Sequence, residues 1–430
     1  MRLWTSETIG ALGRQITGLA MPTVAILLLS AGPFEMGVLN GLQLLAFPVL
    51  GLFVGVWADR WRRRPIMVAA NVGRMLAVGS IPLAFLFGIL RMYQLYIVAA
   101  VTGAFTVFFD IAYQSYLPTL IDRSDLIEGN SKLEASQSAA QVAGQPFAGF
   151  LIQLAGAAQS IVIDAAAFLT SAILIFSIRK HESRIDSKKE RHFLNELKEG
   201  AAVVFRNPIL RNIAACTATM NLGSSIFFVV FLLFAYDTLR LSPGIVGLVL
   251  GIGSAGYVLG AICSARVGKI LGLGPTLAVS AILSGIGLVA IPLAQRGPPA
   301  PILTILWFVS SVGIPIYNIN QVSLRQAITS DDLQGRMNAT MRTLVWGTVP
   351  VGSFAGGILG SVFGVLSTLY IGAVVSILGA VFVLSGPVRS LREIPKMETQ
   401  TEALAWFCRY CGRRIDSSSK YCCYCGRRLE

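Results

Sequence analysis

The chain has 430 residues, 54% hydrophobic and only 13% charged, with 43 glycines and a net charge of +13. It is too apolar for a soluble protein and too long for a single anchor, so a polytopic membrane protein is expected. In a soluble protein the positive excess would suggest nucleic acid; here loop topology and attraction to anionic lipid account for it, and no nucleic-acid partner is expected.

A run of about 20 apolar residues crosses a bilayer as an α-helix, and twelve such runs follow one another. They are Ala11–Ser30, Met36–Ala58, Pro65–Leu90, Tyr93–Leu117, Ala135–Leu154, Gln159–Ile178, Asn212–Tyr236, Pro243–Val267, Thr276–Leu293, Pro301–Leu324, Met337–Gly360 and Val365–Leu384. The first follows Arg2 without an evident small-residue cleavage site, so it is expected to remain as a span rather than leave as a signal peptide. Lys and Arg stay on the cytoplasmic side of short loops. With the N-terminus inside, outer loops hold only Arg91, Arg240 and Arg296. Inner loops hold Arg60 to Arg64, Arg123, Lys132, a cluster from Arg179 to Arg211, Arg266, Lys269, Arg325 and Arg336. The expectation is a monomeric, multi-pass protein of the cell membrane, in contact with its lipids, with both termini cytoplasmic.

The longest polar interruption follows the sixth run and divides the chain. Residues 1–178 form a first six-helix bundle, 179–211 a cytoplasmic linker, 212–386 a second bundle, 387–404 another linker and 405–430 a small terminal unit. Within the first linker, His192 to Phe205 sets Phe193, Leu197, Ala201 and Val204 on one side of a helix, suited to the inner membrane surface. A solvated linker with some helix fits the same residues. Phe147-Ala148-Gly149 recurs 207 residues later as Phe354-Ala355-Gly356, and Asp125-Leu126 recurs at the same shift as Asp332-Leu333. Two equal halves with such echoes fit parallel repeats with a substrate path between them.

An ionised side chain at mid-bilayer costs about 2.5–3.5 kcal/mol on insertion scales, so each one is a functional candidate. Arg14, Arg74 and Asp110 fall in the inner halves of the first, third and fourth runs. Asp110 could pair with Arg74 or Arg14 and brace an inner gate, or it could carry a proton. Asp164 begins the sixth run from outside and is expected at the interface. Arg342 and Glu134 could pair across the inner gate, or Arg342 could meet a lipid phosphate.

Between the second and third runs the chain reads Gly55-x-x-x-Asp59-Arg60-x-x-Arg63-Arg64, which resembles the loop signature of the major facilitator superfamily, with Arg62 in place of the usual glycine. Phe108-Phe109-Asp110, Tyr116-Leu117-Pro118, Asn130-Ser131-Lys132-Leu133 and Gly144-x-Pro146-x-x-Gly149 resemble its macrolide-efflux-like exporter branch. The resemblance covers about residues 1–390 and implies an all-α fold of twelve transmembrane helices in two six-helix bundles. A carboxylate at a helix C-terminus opposes the helix dipole, so Asp59 needs cations or a helix N-terminus beside it. The resemblance supplies the loop arginines and the start of the eleventh helix, and implies that Asp59 latches the halves when the site faces outward. The arginines could instead serve topology alone. Gly144, Pro146 and Gly149 can thin and bend the fifth helix. They are similar to the Gly-Pro-rich fifth-helix motif of family antiporters, with Gln145 interrupting the dipeptide, and they point to export.

The family's cavity is lined by the first, fourth, seventh and tenth helices, where no central carboxylate appears. Asn221, Tyr317, Asn318 and Asn320 could hydrogen-bond a ligand, and Phe108, Phe109 and Tyr113 could pack on it or serve ordinary helix packing. Bulky amphipathic compounds, cations included, suit such a weakly polar surface better than sugars or small anions.

After Pro387 the chain turns polar and carries Cys408-x-x-Cys411 and Cys422-x-x-Cys425. Two such knuckles in a reducing compartment read as a structural tetrahedral Zn2+ site in a short zinc ribbon, with redox or unpaired thiols the alternative. No Gly-x-x-x-x-Gly-Lys-Ser/Thr loop occurs, which disfavours ATP-driven pumping. The expected activity is non-enzymatic: a secondary-active exporter of small amphipathic molecules, exchanging them for protons by alternating access. The alternatives are an importer on the same fold and a membrane sensor or scaffold that binds a partner through the ribbon.

Overall fold

Helix boundaries follow from local backbone chemistry in the computed structural model, which describes residues 1–58, 62–120, 126–178, 193–393, 406–407 and 414–415. Proline at a first helical position needs no hydrogen-bond partner for its missing N–H. Pro33, Pro208, Pro243 and Pro299 all begin helices, and the Asn207 side chain caps one by accepting from the Ile209 and Leu210 amides at 2.9 and 3.3 Å. Gly156 and Gly364, at φ +90° and +82°, each turn the chain from one helix into the next within a single residue. That left-handed conformation favours glycine.

The helices are α1 (Arg2–Thr23), α2 (Pro33–Ala58), α3 (Arg63–Leu86), α4 (Met92–Leu120), α5 (Leu126–Ala155), α6 (Ala157–Phe176), α7 (Phe193–Arg206), α8 (Pro208–Leu233), α9 (Pro243–Leu271), α10 (Leu273–Ala290), α11 (Pro299–Ala327), α12 (Asp331–Phe363) and α13 (Val365–Ser385). Every apolar run of the sequence thus appears as a long helix. Among the described residues, ten helical runs are long and apolar enough to cross a membrane, one of which, Leu333–Ser385, carries both α12 and α13. Helix α5 is not among the ten, because Glu128, Lys132, Glu134 and four glutamines dilute its apolar content. One boundary changes the chemistry: α1 starts at Arg2 rather than Ala11, which brings Glu7 into the first span.

The two halves repeat their packing. In the first, α1 packs on α5 and α6, α2 on α4, and α3 on α4 and α6; in the second, α8 packs on α12 and α13, α9 on α11, and α10 on α11 and α13. The repeat extends to backbone detail. Helices α1 and α8 end in π turns at Val24–Leu28 and Phe234–Thr238, and positive φ angles follow at Ser30 and Arg240, each pair 210 residues apart. At the same spacing, Pro33-x-x-x-Gly37-x-x-x-Gly41 in α2 recurs in α9 as Pro243-x-x-x-Gly247-x-x-x-Gly251.

The arginines at the termini face close helix ends. Arg2 donates to the Ser177 carbonyl, while Arg64 donates to Phe176 O and lies 5.1 Å from that residue's ring centroid. Both thereby satisfy carbonyls at the negative end of α6. Helix α7 docks on α12 and α8. Val204 is buried, Gly200 lies against the Arg336 backbone and Thr340, and Glu199 pairs with Arg336. The part of α7 from Glu199 to Val204 therefore packs on protein in the second bundle.

Candidate functional site

The bundles meet along two glycine-lined seams, α2 on α12 and α5 on α9. In the first, a Cβ on Gly37 would fall 2.6 Å from Gly357 Cα, and one on Gly41 would fall 2.6 Å from the Phe354 ring. In the second, a Cβ on Gly247 would lie 2.6 Å from Gln145 O and 2.8 Å from Gly149 Cα, and one on Gly251 2.2 Å from Pro146. With no side chain to hold them apart, the backbones touch. Gly149 and Pro146, expected to thin and bend α5, are the residues on which α9 rests. Gly144 instead faces Gln15 of α1 within the first bundle.

These seams, the Thr23–Tyr236 hydrogen bond at 2.8 Å and the Ser242–Gln153 hydrogen bond at 3.2 Å hold the bundles together near the face opposite the termini. One apolar core crosses between them there, from Leu19 and Met36 to Phe227 and Val249. Toward the termini the core divides, with Met67, Phe109 and Tyr116 in one half and Leu277, Tyr317 and Leu324 in the other. Phe47 of α2 still reaches across to stack on Trp346 of α12 at 5.9 Å, with Arg342 5.8 Å from the Phe47 ring. The arrangement is sealed on the face opposite the termini.

Between the bundles lies a cavity of about 610 Å³, within the range of drug-sized ligand sites. The first bundle contributes Gln15, Asn40, Gln141 and Gln145; the second contributes Asn221, Ser224, Phe228, Phe231, Tyr257, Trp307, Tyr317, Asn318 and Trp346. Among the described residues, none of those lining it is charged. Trp307 packs on Phe228 and Phe231 at 5.3 and 5.1 Å, forming one aromatic surface.

The cavity takes some of the residues singled out in the sequence and leaves others. Asn221, Tyr317 and Asn318 line it, although Tyr317 is buried with its hydroxyl 2.7 Å from Thr217. Asn320 does not: its amide donates to Ser264 Oγ and Ile316 O, tying α11 to α9. Phe108, Phe109 and Tyr113 turn into the first bundle, away from the cavity. Phe109 stacks on Tyr113 at 6.1 Å and presents its other contacts to Arg74. Gly55 lies in α2, whereas Asp59, Arg60, Cys408, Cys411, Cys422 and Cys425 lie outside the described residues.

A second polar locus occupies the core of the first bundle. Arg74 lies eleven residues into α3, about 16 Å along it, and is 1% exposed. Its guanidinium carbon sits 4.4 Å and 4.6 Å from the Phe109 and Phe168 ring centroids. It donates to Asn71 Oδ1 at 2.5 Å, and Asn71 in turn donates to Ser171. Two aromatic faces and an amide thus replace the water that the cation has lost.

Three carboxylates surround this arginine without a close pairing to it. Glu7 meets Arg14 at 3.7 Å. Asp110 is half-buried, with Arg14, Arg74 and Arg342 as the cations that act on it, and it makes no ion pair within 4.0 Å among the described residues. The expected Asp110 contact to Arg74 or Arg14 is therefore replaced by cation–π stacking and by Glu7. Asp164 is 1% exposed and packed over Gly13, where a Cβ would fall 2.3 Å from its Oδ1. It is buried between helices rather than interfacial, because α6 enters the protein beside α1 instead of facing water. Glu7, Gln15 and Gln145 were not among the candidates from sequence.

The profile of the Major Facilitator Superfamily matches residues 3–236 and again 213–408, one match per half. The multidrug efflux pump Tap of Mycolicibacterium fortuitum is 27% identical over 410 residues, 90% of this chain and 96% of that one. Macrolide efflux protein A of Enterococcus faecalis is 26% identical over 168 residues, 39% of this chain and 52% of the relative. The crystal structure of a bacterial homologue of the iron transporter ferroportin, inward-facing, aligns with a TM-score of 0.64 at 17% identity over 90% of this chain and 99% of that one, a likeness of fold alone.

Proposed function

The chain belongs to the Major Facilitator Superfamily, a class of membrane transporters rather than enzymes, and on that premise we propose that it exports amphipathic compounds from the cytoplasm by alternating access. The observation that carries this reading is the uncharged amide-and-aromatic cavity between two repeat bundles, sealed on one face by glycine seams. The relatives named for multidrug and macrolide efflux support the direction. With both termini cytoplasmic, the sealed face is the outer one and the conformation is inward-facing. Proton antiport supplies the energy, and the carrier is sought among Glu7, Asp110 and Asp164, which lie in the first bundle beside arginines rather than in the cavity. Drug susceptibility of cells with and without the chain tests the reading: expression is expected to raise resistance to several amphipathic compounds, and unchanged susceptibility across a broad panel would count against it.

Asp59 is assigned to a latch that forms when the site faces outward, with the loop arginines and the α12 N-terminus as partners. Asp59→Asn is expected to leave membrane abundance unchanged and lower transport roughly tenfold, the scale of a well-placed charge at a helix end. Measured turnover equal to wild type at equal abundance would exclude the latch.

The tail is assigned one structural zinc. Strands β1 (Trp406–Phe407) and β2 (Arg414–Ile415) pair antiparallel, with Phe407 opposite Arg414. Cys408 and Cys411 fall between those strands in the sequence, so the paired segments fit a thiolate donor set of the knuckle type. Cys408, Cys411, Cys422 and Cys425 would hold the ion, which supplies folding energy and no chemistry to transport. Purified protein is expected to carry one zinc per chain. Deleting Leu404 to Glu430 is expected to remove it while leaving a folded membrane domain, and zinc content that does not depend on the tail would contradict the assignment.

A further inference from the structure

The two cavity walls differ in chemistry. From the first bundle come amides: Gln145 Nε2 donates to Gln15 Oε1 at 3.1 Å, and Gln145 Oε1 is buried without a hydrogen-bond partner among the described residues. A single amide-to-amide hydrogen bond leaves one carbonyl and one NH2 group with capacity to spare, whichever way either side chain is turned. A buried acceptor without a protein donor is costly, so this wall takes an N–H or O–H from whatever enters the cavity, water or a ligand. From the second bundle come Phe228, Phe231 and Trp307, whose rings form one surface across α8 and α11. No charged side chain among the described residues balances a ligand anion there.

We infer that Gln145, paired with Gln15, is the specificity-determining element of the cavity, selecting non-anionic amphipathic molecules that present an amide-like donor–acceptor edge to the first bundle and a flat apolar face to Trp307. The inference rests on the cavity being the transport site proposed above and goes further by naming the ligand's chemical class. A hydrogen-bonding site rejects an analogue that lacks the donor far more strongly than an apolar wall distinguishes two flat molecules. Discrimination therefore belongs to the amides, whereas the aromatic wall supplies affinity for flat apolar faces of any kind.

The test uses three coumarin probes of similar size on the full chain in lipid nanodiscs, followed by quenching of tryptophan fluorescence and by equilibrium dialysis: 7-methoxycoumarin-3-carboxamide, its methyl ester and the free carboxylate. Wild type is expected to bind the carboxamide at least about tenfold more tightly than the ester and the carboxylate weakest of all. Gln145→Leu is expected to reduce the carboxamide-to-ester preference to about threefold or less, and Gln15→Leu to do the same through loss of its partner. Trp307→Ala, read by dialysis, is expected to weaken carboxamide and ester equally. Each variant is accepted only with wild-type helix content and a monodisperse profile. An undiminished preference in both glutamine variants, equal binding of ester and carboxamide by wild type, tightest binding of the carboxylate, or no binding of any probe would overturn the inference. Because no gradient is applied, these outcomes read the cavity alone; failure of the export reading would appear separately, as unchanged drug susceptibility in cells despite the expected binding pattern.

Discussion

Gly37→Leu and Gly247→Leu are each expected to abolish measurable transport while leaving a folded membrane protein. Both glycines sit where α2 meets α12 and α9 meets α5 with backbones in contact, and a Cβ at either position would lie 2.6 Å from backbone of the opposite bundle. Backbone cannot rotate aside as a side chain does, so the seam must open. Overpacking costs typically about 1–3 kcal/mol, and at the upper end this displaces the closed arrangement roughly a hundredfold toward one open on the face opposite the termini. The cycle would then stall. Gly51→Ala in the same α2 helix is the control, because a Cβ there meets nothing within 4 Å. Accessibility of a reporter cysteine placed at Ser242 is expected to rise in the leucine variants and not in the control. Wild-type transport in Gly37→Leu and Gly247→Leu would show that the seams do not need to close.

The second large effect is expected at Arg74. Arg74→Met removes one of the two arginines, with Arg14, that act on Asp110, Glu7 and Asp164, and leaves Asn71 without its guanidinium partner. Removing one side of a buried charge arrangement costs about 3–5 kcal/mol, a large part of the stability of a folded protein. Membrane abundance and the unfolding midpoint in detergent are expected to fall sharply. Arg74→Lys is expected to fall between, since an ammonium keeps the charge but not the planar contact with Phe109 and Phe168. Adding Asp110→Asn is expected to recover only part of the loss, because no exclusive Asp110–Arg74 pair exists here. A stable, abundant Arg74→Met protein would show that Arg14 alone satisfies the carboxylates and that Arg74 is not needed to hold them.

Much of this architecture was legible because lipid demands long apolar helices, so hydropathy alone locates the spans. Depth and facing were harder. Glu7 escaped notice because the polar residues before Ala11 look like a leader to the span, yet the helix begins at Arg2 and carries that carboxylate into the bundle. Phe108 and Phe109 suggested a ligand surface, but α4 has no continuous polar face, and periodicity cannot tell which side meets the cavity. Gln15 and Gln145 fall in different helices, and only packing brings their amides together. The repeated proline-and-glycine pattern of α2 and α9 was present in the letters at a spacing of 210. It was obscured by the 207-residue shift of the Phe-Ala-Gly echo, because the halves differ slightly in length between α2 and α5.

Two bundles closing alternately around the cavity are proposed to move amphipathic molecules outward at the expense of a proton gradient. Uptake of 7-methoxycoumarin-3-carboxamide and of ethidium into everted membrane vesicles, with an imposed gradient acid inside, tests it most directly. Uphill accumulation of at least one compound is expected to require the chain, to collapse when the gradient is dissipated, and to be lost in Gly247→Leu. Equal accumulation in vesicles with and without the chain, or accumulation unaffected by dissipating the gradient, would contradict it.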